Sequence, residues 1–354
     1  MSSLLFFDPS CQQPYDTGTL LAKASGGTEA SLTRIADALG AYVMQHNRTE
    51  PSGRYLPPQP LPGIDAVVLN RDARALPRVR MLFPNARFFL WVHDQLRPHS
   101  KRGRRLARSA ALLEELAVTV VCVSDAQRRG VEATLRHGGA GARARAVTIY
   151  NPIDDALAPG PGPPDLNKLV FFSSPNKGLY FALDVFATLR RAMPELRLLV
   201  GNPGYKAYRR APQPGVEFLG ALPQARVHAE VRGALCTFCP NFLVPETFGL
   251  VFAESHALGT PVLTVDCGAA LEVVGDRAQV LPLRRAWRAY EALLNPLPPA
   301  WRRGPARLAG AAGLFEDFTA RIRTWRAGGR PAVQPDPRFR LAAVSAQWRA
   351  LLGR

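Results

Sequence analysis

PETFGLVFAESHALGTP, residues 245–261, sets two glutamates, Glu246 and Glu254, with seven residues between them around the start of a helix. Residues 250–258 read as that helix, with Gly259 as its C-terminal cap. Residues 235–238 before it and 261–265 after it read as buried strands. Strand, loop, helix, strand is the repeating unit of a parallel α/β sheet. The N–H groups of a helix's first turn have no partner inside the helix, and the positive end of its dipole lies behind them. Thr247, Phe248, Gly249 and Leu250 therefore frame an anion site. Glu246 suits sugar hydroxyls beside a phosphate, and Glu254, one turn further in, suits a pair of ribose hydroxyls. Gly249 lets a substituent come close to the backbone. Two spaced glutamates taken alone would equally fit a loop acid and a solvated helix acid, so the rest of the chain has to decide.

The same grammar runs outward from this stretch. In the second half, residues 168–172, 196–200 and 216–219 read as strands, and 179–192 as a helix with Phe181, Ala182, Val185, Phe186 and Leu189 on one face. In the first half, residues 4–7, 66–69, 88–92, 118–123 and 147–150 read as strands, and 28–39 and 125–135 as helices. The alternation predicts parallel sheets covered on both faces. APGPGPP, residues 158–164, is linker composition. We therefore expect a first Rossmann-like domain over 1–157, a linker over 158–167, a second Rossmann-like domain over 168–334, and a C-terminal segment over 335–354. That segment carries an amphipathic helix over 339–352, with Leu341, Val344, Trp348 and Leu351 on its apolar face. From about 284 the pattern weakens, with Arg284, Arg285, Arg288, Arg302 and Arg303 set among Pro and Ala. Two α/β halves on a Pro/Gly hinge leave a cleft, and the carboxyl ends of their strands are where ligands collect.

Three further positions carry chemistry. Gly26 and Gly27 lie between the first strand and its helix, where glycines permit a tight turn and close ligand approach. They do not make a G-x-G-x-x-G, which counts against a dinucleotide oxidoreductase. Lys177 follows a strand and opens a helix, as a diphosphate-binding lysine would, with the hydroxyls of Ser173 and Ser174 beside it. His93 ends a buried strand, next to Asp94.

Composition narrows the classes. The 354 residues are 47% hydrophobic and 21% charged, enough for two ordinary cores. No apolar run approaches the ~18 residues of a membrane span, and the start of the chain lacks a basic segment ahead of its short apolar run, so a cytoplasmic protein is expected. Five scattered cysteines make no disulfide framework, and the single C-x-x-C of Cys236 and Cys239 lacks the second pair a zinc site needs. No Asp-x-Asp pair occurs to hold a diphosphate-bound cation, so no metal is expected. Lys and Arg number 45 against 28 Asp and Glu, a net charge of +17. The basic residues are dispersed without interleaved aromatics, so nucleic acid is not the expected partner. One basic run stands out: Arg97, Lys101, Arg102, Arg104, Arg105 and Arg108. It reads either as a solvated face or as a patch for anionic lipid headgroups or an acidic acceptor.

The motif order resembles the large retaining family four of nucleotide-sugar enzymes, the glycosyl transferases group 1, which have the GT-B fold. The two-glutamate stretch beginning E-x-F-G is that family's hallmark. SGGTE (25–29) resembles its N-terminal glycine loop, WVHD (91–94) its histidine loop, and VCVSDAQRR (121–129) its serine-led strand and helix. YNPID (150–154), FSSPNKGL (172–179) and VEFLGALPQ (216–224) resemble its next three segments. The resemblance implies a retaining, metal-independent hexosyltransferase. It would take a UDP- or GDP-sugar and an acceptor hydroxyl on a glycan, glycoprotein or lipid-linked acceptor. It implies catalytic roles for Glu246, His93 and Lys177. Gly26, Gly27, Ser173, Ser174, Lys177, Thr247, Phe248, Gly249, Leu250 and Glu254 would hold the donor. The final helix would return to the N-terminal domain. The sequence departs from the family in two places. Pro152 replaces a glycine, and the usual arginine shortly before Lys177 is absent, with Phe172 and Ser173 near its place. That second departure keeps open a sugar-nucleotide binder without turnover.

Overall fold

A computed structural model describes residues 3–22, 26–202, 212–241, 244–283 and 312–354. Ser25 and the arginines at 284, 285, 288, 302 and 303 lie outside the described residues. The chain forms two units, Met1–Ala156 with Pro337–Arg354, and Leu157–Asp336.

The first unit holds a parallel sheet of seven strands: β1 (Ser3–Asp8), β2 (Tyr42–Gln45), β3 (Tyr55–Leu56), β4 (Ile64–Asn70), β5 (Arg87–Val92), β6 (Thr119–Cys122) and β7 (Arg145–Thr148). Their order is β3-β2-β1-β4-β5-β6-β7. Chain order thus reverses between β1 and β4, where Leu5 pairs Tyr42 on one side and Val67 on the other. The central strands read as unbroken apolar runs because helices cover both faces; residues 4–7 and 66–69 are all buried. Residues 149 and 150 leave β7 instead of extending it. Ile149 N–H still donates to Cys122 O at 2.9 Å, but the Tyr150 ring turns to meet Phe339 at 5.0 Å.

The C-terminal segment completes this unit. A 3₁₀ turn at Pro337–Phe339 precedes the helix Leu341–Leu352, so the helix starts two residues later than its apolar pattern suggests. Its Trp348, fully buried, meets Trp91 at 5.0 Å and Phe6 at 5.8 Å between ring centroids. Such aromatic pairs add about 0.5–1.5 kcal/mol each beyond the area they bury.

The second unit repeats the plan with β8 (Asp165–Phe172), β9 (Arg197–Gly201), β10 (Val216–Gly220), β11 (Ala234–Cys239), β12 (Val262–Val265) and β13 (Val280–Leu281), in the order β10-β9-β8-β11-β12-β13. The reversal here falls between β8 and β11. The Pro/Gly segment ends before residue 167. β8 begins at Asp165, whose N–H donates to Gly233 O at 3.0 Å and whose carboxylate pairs with Arg197 at 2.6 Å. Cys236 and Cys239 lie on β11, buried and unbridged. No helix among the described residues is long and apolar enough to cross a membrane.

Candidate active site

Two loops meet outside the switch point of the second sheet. The loop after β8 carries Ser173, Ser174 and Lys177 into the helix Leu179–Ala192, and the loop after β11 carries Glu246 into the helix Leu250–Ala257. Lys177 Nζ lies 2.5 Å from Glu246 Oε2, with the Glu246 side chain 9% and the Lys177 side chain 29% exposed. Sequence positions 69 apart thus form one ion pair at the carboxyl ends of the two strands that flank the reversal. Both charges also act on the Cys239 thiol at the end of β11. Burial is the main force pushing that thiol's pKa up; Glu246 adds to the rise and Lys177 opposes it.

The Lys177 loop is built locally. Lys177 N–H donates to Ser174 O at 2.8 Å, and Ser174 Oγ bonds Asn176 Oδ1. Ser174 is buried and Ser173 half-buried, so Ser174 serves the turn before it can serve a ligand. The Glu246 loop is fixed by two residues that sequence reasoning missed. Asn241, buried, brackets the loop through Nδ2 to Val244 O at 2.6 Å and Oδ1 from Val244 N at 3.2 Å. Gly268 bridges Glu246 as a one-residue parallel extension of the sheet, and Ala269 N–H donates to Glu246 O at 2.9 Å. The only signal in the sequence was a glycine just after a strand, in VDCGAA.

At the helix entry the first donations inside the helix are from Phe252 and Ala253 to Gly249 O. The N–H groups of Leu250 and Val251 precede them, as an anion site requires. Gly249 has φ +90°, and a Cβ there would lie 2.6 Å from the Phe252 ring. Glycine is needed here for the left-handed backbone and for the space the Phe252 ring occupies. The Phe248 side chain is 1% exposed and belongs to the core, so only its backbone can face a donor. Thr247 is half-buried. Glu254 is half-buried and accepts from Gln224 Nε2 at 3.3 Å.

The remaining expected residues lie in the first unit. His93 follows β5 and is 8% exposed. Its ring sits 4.6 Å from that of Trp91, which in turn meets Trp348 edge to face. Burial holds its pKa well below the usual histidine value, with the Arg71 charge adding to the effect. The ring is neutral at physiological pH, and Nε2 is buried without a hydrogen-bond partner. Gly26 caps and Gly27 opens the helix Gly27–Leu39, but a further helix, Thr17–Ala22, separates them from β1. They are therefore not a direct strand-to-helix turn. A Cβ at Gly26 would meet the Glu29 carboxylate at 2.2 Å.

The basic run does not present one face. Arg97, Lys101, Arg102, Arg104 and Arg108 are exposed, whereas Arg105 is half-buried. Along the helix Lys101–Arg108, Arg102 and Arg105, three residues apart, line a cavity. Helical periodicity splits the run, because neighbours in sequence point about 100° apart.

Residues 167–295, within the second unit, match the family described as glycosyl transferases group 1. The phosphatidyl-myo-inositol mannosyltransferase of Mycobacterium leprae (strain TN) is 32% identical over 143 residues, covering 37% of this chain and 38% of that protein. The protein of the same name from Mycolicibacterium smegmatis (strain ATCC 700084 / mc(2)155) is 30% identical over 167 residues, 43% of each. The chain spans less than half the length of the curated relatives it matches. Among solved structures, Anabaena Alr3699/HepE in complex with UDP and glucose superposes with TM-score 0.62 at 16% identity over 100% of both chains. The sucrose-phosphate synthase of Thermosynechococcus elongatus gives 0.61 at 16% identity over 99% of this chain and 98% of that one. These likenesses bear out the resemblance read from the motifs and the fold it implied, two Rossmann-like parallel-sheet units with GT-B glycosyltransferases as neighbours.

Proposed function

We propose that the chain is a retaining glycosyltransferase acting in the cytoplasm or at a membrane surface. It moves a hexose from a UDP- or GDP-sugar to an acceptor hydroxyl and requires no metal. The observation that carries this reading is the Lys177–Glu246 ion pair at the switch point of the second sheet, beside the entry of the helix Leu250–Ala257. The names of the mycobacterial relatives favour a mannosyl donor and a lipid-linked acceptor; the Anabaena structure contains UDP.

The residues divide the work as follows. An incoming diphosphate draws the Lys177 ammonium from Glu246 and meets the Leu250 and Val251 N–H groups. Glu246, its ammonium partner withdrawn, accepts hydrogen bonds from sugar hydroxyls. The acceptor oxygen bonds to the anomeric carbon on the face from which the diphosphate leaves. The bond from that carbon to the diphosphate oxygen breaks, and the acceptor's proton passes to the departing diphosphate. Lys177 and the helix entry stabilise the charge that grows there, the role a metal would otherwise fill, which is why the absence of Asp-x-Asp supports metal independence.

The test is NMR of the anomeric coupling in the first product, run with chelator present. Retention at undiminished rate is expected. A β-linked product from an α-linked donor, or activity that returns only with manganese, overturns the mechanism. Donor binding without product selects the second reading, a silent sugar-nucleotide binder, which the Phe172–Ser173 departure favours. Glu254→Ala is expected to weaken donor binding by about 1–3 kcal/mol, the loss of a hydrogen bond to a charged group. Unchanged nucleotide affinity by calorimetry removes Glu254 from the ribose role.

A further inference from the structure

We propose that Gln224 is a positioning residue for the donor: its amide holds the Glu254 carboxylate in the orientation that takes the ribose hydroxyls. The inference rests on the glycosyltransferase reading and on the ribose role of Glu254, and it adds the group that orients that glutamate. Gln224 is the last residue of VEFLGALPQ, whose first five residues are β10.

Topology brings the two side chains together. The helix Gln224–Arg232 leads from the end of β10 to the start of β11, and the helix Leu250–Ala257 from the loop after β11 to β12. The two helices pack on one another. Each follows a parallel strand, so both begin at the carboxyl edge of the sheet, where ligands collect. Gln224 is the first residue of its helix and Glu254 the fifth of its own. Gln224 Nε2 donates to Glu254 Oε1 at 3.3 Å, across 30 positions of sequence. Both residues are half-buried, so the pair is packed on one side and open to a ligand on the other. The backbone under Gln224 is fixed without its side chain, because the N–H groups of Arg226 and Val227 donate to Pro223 O at 3.0 and 3.2 Å.

A glutamate side chain is among the most rotamer-rich, and ordering it on a ligand costs binding energy. The Gln224 amide meets part of that cost before the nucleotide arrives, which is preorganisation. An amide suits the task because it is neutral. The Lys177 ammonium lies on Glu246 and has to withdraw before that carboxylate takes a sugar; an amide supplies no countercharge and can stay. Hydrogen bonds that hydroxyls then make to Glu254 keep their charge-assisted strength where the amide is concerned. A carboxylate has about four acceptor sites, so the bond from Gln224 and those from ribose fit on one group.

Calorimetry on the full chain with UDP and GDP tests this. Gln224→Ala is expected to weaken the nucleotide that binds by at least about threefold, with Tm unchanged. Gln224→Glu, of equal length but turning a like charge on Glu254, should weaken it further. In the Glu254→Ala background, Gln224→Ala should change affinity by less than about twofold, because no carboxylate remains to be oriented. The 2′,3′-dideoxy form of the same nucleotide lacks the hydroxyls and should bind Gln224→Ala and the unaltered chain alike. A loss at Gln224 that persists in the Glu254→Ala background, or that is as large for the dideoxy form, shows a mere tie between two helices and overturns the proposal. Unchanged affinity in Gln224→Ala overturns it too. If Glu254→Ala weakens binding and Gln224→Ala does not, this inference alone fails. If Glu254→Ala leaves affinity unchanged, or neither nucleotide binds, the reading beneath it fails and takes the inference with it.

Discussion

Lys177→Ala is expected to lower kcat by about 10²–10³-fold, the usual cost of one preorganised charge-stabilising donor, while the donor's dissociation constant changes by less than about tenfold. The asymmetry follows from the ion pair. In the free protein Lys177 already spends its charge on Glu246 at 2.5 Å, so donor binding exchanges one anion for another and gains little. At the transition state the diphosphate carries more negative charge than in the bound donor, and only there does the ammonium gain. Lys177→Arg keeps a cation at a different reach and should restore part of kcat. Steady-state kinetics with calorimetric donor titration checks both. A variant that loses donor binding but keeps its maximal rate contradicts the role.

Gly268→Ala should destabilise the second unit by about 3 kcal/mol, combining left-handed backbone strain with a forced contact. Gly268 has φ +70°, and a Cβ there would lie 2.2 Å from Glu246 O and 2.7 Å from Glu246 N. These are backbone atoms of a bridged residue and cannot rotate aside. For a unit of this size the loss is a fall of about 6–12 °C in Tm. Activity should also fall below the melting temperature, because the displaced segment carries Glu246 away from Lys177. Gly275→Ala is the control: its φ is +72°, with nothing within 4 Å of the added carbon, so it bears the backbone cost alone. Equal Tm losses in the two variants would show that the Glu246 contact adds nothing.

The sequence was legible where physics is local. Residues 4–7, 66–69 and 88–92 announced β1, β4 and β5 because a strand buried on both faces has no polar position to interrupt it. β2 and β3 escaped notice. Each is short, and YVMQ and YL carry too few apolar residues to stand above their surroundings. Lys177 and Glu246 were each recognisable from flanking elements and motif likeness, but their pairing was not, since 69 residues separate them. Gly268 was invisible for a related reason. Its requirement comes from another segment's backbone, and no pattern within VDCGAA encodes that. Arg71 looked like surface charge, because its left-handed φ of +68° cannot be read from composition.

The route of the chain through the first unit sets the order in which the protein can be completed during synthesis. Residues 157–336 form an uninterrupted stretch, so the second unit has all of its strands before the ribosome reaches Pro337. The first unit is translated earlier but stays unfinished until the helix Leu341–Leu352 emerges. Until then Phe6 and Trp91 lack the indole that covers them. The usual N-terminal-first schedule of cotranslational folding is therefore inverted. A nascent chain stalled between residues 320 and 335 would expose an aromatic surface on its oldest part, a natural place for a chaperone to hold. The same topology dictates how the halves can be produced separately: residues 157–336 as one contiguous piece, and the first unit only as 1–156 spliced to 337–354.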